Sequence, residues 1–224
     1  GSFLLGAMLV PYMAGGTLTV NGDSPAALWQ IVKGQELCHI LGRMAFPIFC
    51  FLVVEGFLHT RDRVGYGVRM GIFALLSEIP YDLVQFHRVF SFRLQNVMFT
   101  FTVAIFTLLA ITKAEERWAE KGGVRMAAIA AITAAGMGTA LLVRGEYVFL
   151  GVLAAVLVYL LRDRGRLRVL GLAPLLIVSP WTALAVPVLL LYNGQRGKGN
   201  KWFFYVFYPA HFLVFAALAA VIRG

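Results

Sequence analysis

The sequence predicts an all-α fold, a polytopic integral membrane helix bundle of about eight transmembrane helices with several proline-kinked spans. Three observations predict it. Hydrophobic residues make up 60% of the 224 residues and charged residues 14%, against about 45–50% and 25% in soluble domains. Mean hydropathy is +0.79. The charges gather between apolar runs of ~16–24 residues, and a helix needs about 20 apolar residues to cross the hydrocarbon core. The composition excludes a disordered chain and a small disulfide scaffold.

Apolar spans are expected over 3–18, 38–58, 70–86, 96–113, 125–143, 148–161, 169–192 and 202–222. The first carries Gly15-Gly16, which can end it early. The seventh carries Pro174, Pro180 and Pro187. Its length cannot make two crossings of about 20 residues each, so it reads as one kinked span, with a broken or re-entrant segment as the alternative. Abundant Gly and Ala fit helices that pack closely in lipid. The chain reads as one transmembrane domain, 1–224, with Gly1-Ser2 taken as a tag scar.

The net charge of +9 does not mark a nucleic-acid partner. A basic nucleic-acid face is contiguous and exposed, whereas these Lys and Arg residues sit in short loops. Eight crossings place the loops near 59–69, 113–125 and 162–168, with Arg223, on one side, and Lys33, Arg88, Arg93, Arg144, Arg196, Lys198 and Lys201 on the other. The count is twelve against seven. The positive-inside rule then puts the first side and both termini in the cytoplasm. Cys38 and Cys50 share one expected helix and stand about 18 Å apart along it, too far to pair with each other.

Arg43, Glu55, Glu78, Asp82 and His211 lie inside apolar spans, where an ionisable group is expensive and is usually paired or functional. Glu78 and Asp82 are one turn apart on a single helix face. Pro47, Pro80 and Pro209 free the carbonyls of Arg43, Leu76 and Tyr205, each close to a polar side chain. His39, Arg43, Glu78, Asp82, Gln95, Asn96, Glu146, Tyr205, Tyr208 and His211 fall at similar depths, enough for one convergent pocket. Glu55, His59, Thr60, Arg61 and Arg63 form a second cluster on the cytoplasmic side.

Each group also has a plainer reading. Arg43 with Glu78 or Asp82 would serve as a buried ion pair. His211 would bond a freed carbonyl. Gln95-Asn96 would cap a helix, and Arg61 and Arg63 would be topology charges. Trp29, Trp118, Trp181 and Trp202 read as interfacial anchors. The His spacing matches no HExxH-type pattern, so no metal is expected.

The run Gly42-Arg43-Met44-Ala45-Phe46-Pro47, continuing to Glu55-Gly56-Phe57 and Thr60-Arg61, resembles the TraX family of membrane proteins. So do Arg69, Ser77-Glu78-Ile79-Pro80-Tyr81-Asp82, Gln95-Asn96-Val97-Met98, Tyr192-Asn193-Gly194-Gln195-Arg196-Gly197 and Tyr205-Val206-Phe207-Tyr208-Pro209-Ala210-His211. Glu146-Tyr147 with Gly151 matches more weakly. Pro11-Tyr12 departs from the family pattern, which has an Asp-His pair in the first helix.

The resemblance implies a bacterial inner-membrane protein of conjugation, with N-terminal pilin acetylation as the prototype activity, and kinship to polytopic acyltransferases. On that reading acetyl-CoA is the acyl donor, and the partners are the lipid bilayer and an acceptor amine or hydroxyl of unknown identity, on a peptide, glycan or lipid. His211 is expected as base, oriented by Glu78 or Asp82, with Arg43, Gln95 and Asn96 stabilising the oxyanion. His39, Glu146, Tyr205 and Tyr208 complete the substrate pocket, and Glu55, Arg61, Arg63 and Arg69 face the acyl-CoA phosphates. The rival classes are a small-molecule transporter, which inverted repeats would favour, and a non-catalytic scaffold.

Overall fold

The computed structural model describes residues 25–86, 88–145, 147–194, 205–214 and 217, with side chains from residue 40 onward. The expected span 3–18 lies outside them, as do Pro11-Tyr12, Glu146 and the side chain of His39. The described residues are helical and contain no strand; one isolated bridge joins Gln95 to Gly145.

The helices are α1 (Pro25–His59), α2 (Arg63–Phe86), α3 (Val97–Arg117), α4 (Gly122–Val143) and α5 (Val148–Leu160). Two 3₁₀ segments follow, Arg162–Ile177 and Pro180–Leu184, then the short α6 (Ala185–Leu190) and α7 (Tyr205–Val214). Among the described residues, three segments are long and apolar enough to cross a membrane: Ile40–His59, Val97–Arg117 and Gly122–Val143. At 1.5 Å per residue α1 is about 52 Å long, well beyond a hydrocarbon core of about 30 Å.

Local chemistry sets the helix ends. Asp62 caps α2 by accepting the Gly65 N–H at 2.7 Å, and Asn96 caps α3 by accepting the Met98 N–H at 3.0 Å. Arg144 ends α4 in the left-handed region, φ 56°. The core lies between α1, α3 and α5, where Phe51, Val54, Phe57, Ile105, Leu108, Ile111, Val152 and Val156 are almost fully buried. The outer flanks expose Leu75, Leu76, Leu142 and Ile177, as expected of a bundle whose solvent is lipid.

The segment 169–192 is not one kinked span. From Arg168 it runs back along α5, where Gly171 packs on the Leu157–Val158 backbone. It breaks at Ser179, which is extended (φ −161°, ψ 130°). It then returns, so that Tyr192 stands against Phe51, ring centroids 5.7 Å apart. The Arg168 guanidinium covers the same Phe51 ring at 4.8 Å. Both ends of the segment therefore meet at one end of the bundle. The ten residues from Arg168 to Ile177, nine steps apart, reach about 18 Å at the 3₁₀ rise of about 2.0 Å, short of a crossing. Pro174, Pro180 and Pro187 deny the segment a continuous helix.

This return reverses α7. Tyr205 stacks on Phe73 with centroids 4.8 Å apart, and Phe212 meets Tyr81 at 5.5 Å. Contacts seven residues apart on α7 thus match contacts eight apart on α2, so the two helices run parallel.

Candidate functional site

Glu78 and Asp82 lie on one face of α2, both buried. Nothing in α2 offers them donors at that depth, so the 88–96 connection folds over them. The Ser91 N–H donates to Asp82 Oδ2 at 2.6 Å. The Asn96 N–H donates to Glu78 Oε2 at 3.3 Å, and its Nδ2 donates to the same oxygen at 2.5 Å and to the Ala74 carbonyl at 2.8 Å. With its Oδ1 capping α3, all polar groups of Asn96 are used. The positive end of α3 thus points at the Glu78 carboxylate and offsets part of the cost of holding it there.

Three buried oxygens beside these bonds have no hydrogen-bond partner among the described residues: Glu78 Oε1, Asp82 Oδ1 and Thr100 Oγ1. Thr100 faces the turn between α4 and α5. A Cβ on Gly145 would collide with its hydroxyl, and one on Gly151 would meet Thr100 Cγ2 at 2.7 Å and Phe46 Cζ at 2.9 Å. Only glycine fits either place. The turn carries three non-glycine residues with positive φ: Arg144 at 56°, Tyr147 at 63° and Val148 at 44°. That conformation is a genuine outlier for a β-branched valine and costs on the order of 1–3 kcal/mol. Tyr147 is held there by Phe46, their rings stacked at 3.5 Å.

The expected direct pairing of Arg43 with Glu78 or Asp82 is not formed. The ion pairs among the described residues join Arg69 to Asp62, Arg162 to Glu115 and Asp163, and Arg168 to Glu55. The two acids instead take backbone and amide donors from the 88–96 connection. Gln95 serves the same connection. Its side chain donates to the Ser91 carbonyl at 3.3 Å, and its N–H donates to the Arg144 carbonyl at 3.0 Å.

His211 is not oriented by a carboxylate among the described residues. Its Nδ1 donates to the Phe207 carbonyl at 3.0 Å, one turn back on its own helix. This is the bonded-carbonyl reading, with Phe207 in place of Tyr205. A carbonyl only accepts, so Nδ1 carries a proton. Tyr208 stands edge-on to His211 at 5.3 Å and to Phe212 at 5.3 Å. The parallel register sets His211 level with the Glu78–Asp82 turn.

The opposite end of the bundle holds Glu55, buried and paired with Arg168. Arg168 lies between the Phe51 and Tyr192 rings, at 4.8 and 5.8 Å. Of the basic residues expected there, Arg69 pairs with Asp62 at 3.3 Å and lies beside Tyr205, Arg63 covers the Phe57 ring at 4.9 Å, and Arg61 is exposed. Glu55 and Arg69 thus have internal partners. Sequence reasoning counted Arg168 and Arg162 only as loop charges. Arg162 binds Glu115 through one nitrogen at 3.1 and 3.2 Å, and Tyr159 donates to the same carboxylate at 2.8 Å. Arg162 and Arg168 sit at the start of the returning segment, a placement that hydropathy does not reveal. Among the described residues no group of three metal-ligating side chains occurs.

A bundle with three apolar spans, exposed lipid-type flanks and buried carboxylates defines a helical membrane protein. The chain belongs to the TraX family: the family described as TraX protein matches residues 26–219. It is similar to the "Probable fimbrial assembly protein FimC, serogroup H1" of Dichelobacter nodosus, at 29% identity over 203 residues, covering 79% of this chain and 80% of the relative. No solved structure matches the chain.

Proposed function

We propose that the chain is an integral-membrane acyltransferase that moves an acetyl group from acetyl-CoA to an amine or hydroxyl acceptor. The observation that carries this reading is the level of His211. Its helix runs parallel to α2 and sets His211 level with the turn that holds Glu78 and Asp82, each with a carboxylate oxygen unoccupied among the described residues. Nε2 of His211 takes the acceptor proton, and the acceptor lone pair attacks the thioester carbonyl. The tetrahedral oxyanion collapses, the C–S bond breaks, and the departing thiolate of CoA takes the proton held by His211. Glu78 Oε1 and Asp82 Oδ1 hold the acceptor head group. Arg43 is the oxyanion stabiliser; Asn96 is not, because its donors are already used. Arg61, at the basic end, meets the CoA phosphates.

The named relative belongs to fimbrial assembly, and the family prototype acetylates pilin, so a pilus subunit N-terminus is the first acceptor to test. The orientation rests on the described loop cations: eleven in 59–69, 113–125 and 162–168 at the basic end, against Lys33, Arg88, Arg93 and Arg144 at the other. By the positive-inside rule the basic end is cytoplasmic, in a bacterial inner membrane, and α7, parallel to α2, runs away from it.

The test uses full-length protein in nanodiscs with labelled acetyl-CoA and a peptide with a free or blocked N-terminus. Label is expected on the free peptide, and His211→Gln and Glu78→Gln are expected to abolish transfer with unchanged melting temperature. Failure to bind acetyl-CoA, or full transfer by both variants, overturns the reading.

A further inference from the structure

The connection between α2 and α3 carries more than hydrogen bonds to the acids. Val89 and Phe90 are each 60% exposed and Phe92 is 75% exposed, flanked by exposed Arg88 and Arg93. Large aromatic side chains this exposed mark a contact surface. The connection is also pinned. Ser91 is tied to Asp82, the Arg93 N–H donates to Ser91 Oγ at 3.4 Å, and the Arg144 guanidinium reaches the Phe92 carbonyl at 3.5 Å. Fixing Ser91 inward forces its two neighbours, Phe90 and Phe92, outward.

We infer that residues 88–93, with Arg144, form an interfacial anchor that seats Phe90 and Phe92 just beneath the lipid headgroups and sets its arginines on anionic lipid phosphates. Two features select lipid over a protein partner. The exposed apolar surface is continuous with the lipid-facing flank: Phe92 and the 84% exposed Leu142 line one cleft of about 380 Å³. The three arginines have no acidic partner among the described residues, and the phosphate layer of an anionic leaflet supplies matching charge.

Nitroxide labels at Phe90→Cys and Phe92→Cys, in a full-length Cys38→Ser, Cys50→Ala background, test the placement. In vesicles of phosphatidylglycerol and phosphatidylethanolamine, both labels are expected to be relaxed by oxygen and shielded from a water-soluble nickel chelate. Nickel-accessible labels, or labels shielded from both reagents as in a protein interface, overturn the anchor. The triple variant Arg88→Gln, Arg93→Gln, Arg144→Gln is expected to lower severalfold the co-purified ratio of phosphatidylglycerol to phosphatidylcholine from mixed vesicles. An unchanged ratio overturns the phosphate assignment.

Discussion

Asn96 stands at the point where α2 and α3 are tied together, its amide nitrogen 2.5 Å from Glu78 Oε2 and its amide oxygen capping α3. One fully buried side chain thereby satisfies a carboxylate, a carbonyl and a helix N-terminus.

Removing it exposes all three groups at once. Asn96→Ala is expected to cost about 2–4 kcal/mol, since a buried acceptor left without its donor carries the full desolvation penalty. Asn96→Asp should be worse, because it faces one carboxylate with another. Thermal melts in detergent check both, and a wild-type melt for Asn96→Asp would contradict the hydrogen-bond assignment.

The returning segment depends on Gly171. A Cβ there meets the α5 backbone, with Leu157 C at 2.7 Å and Val158 N nearer still. Backbone cannot rotate away, so Gly171→Ala should destabilise by about 1–3 kcal/mol. Gly138, with nothing within 4 Å of its Cβ position, is the matched control. Gly138→Ala in the same assay should gain about 0.5–1 kcal/mol by helix propensity.

The path of the chain is open to labelling in intact cells. Cysteines at Gly165 and Asn193 flank the return, and one at Lys33, toward the other end of α1 from His59, lies at the opposite end. Gly165→Cys and Asn193→Cys should be protected from an impermeant maleimide, and Lys33→Cys should react. Opposite behaviour of positions 165 and 193 would restore a full crossing between them.

Asp62 supplies a pH dependence at the start of α2. The Gly65 N–H, and after it Arg69, hold its carboxyl below the usual range. The folded value is lower than the unfolded one, so the stabilisation is present above the unfolded value of about 3.9. It is lost as pH falls through the folded value. Amide exchange at Gly65 should accelerate there in the wild type. Asp62→Asn, a cap without charge, should lack this pH step.

The sequence by itself determined the helical membrane fold, the burial of Glu55, Glu78 and Asp82, and the cap at Asn96. Each is a local property: hydropathy over about 20 residues, or hydrogen bonds within one turn. The pattern in 169–192 is equally apolar whether the segment crosses or returns, so hydropathy is blind to the difference. Only packing on α5 and the meeting of Tyr192 with Phe51 and Arg168 decided it. The same holds for partner choice. Glu55 and Arg168 are 113 residues apart, and Arg43 lost the acids to a connection whose backbone donors no sequence pattern advertises. Charges in lipid gain most from partners, but which partner is nearest is a property of the assembled bundle. The strained turn at Tyr147 and Val148 exists for that reason too, held open by Phe46 and Thr100 across the interior.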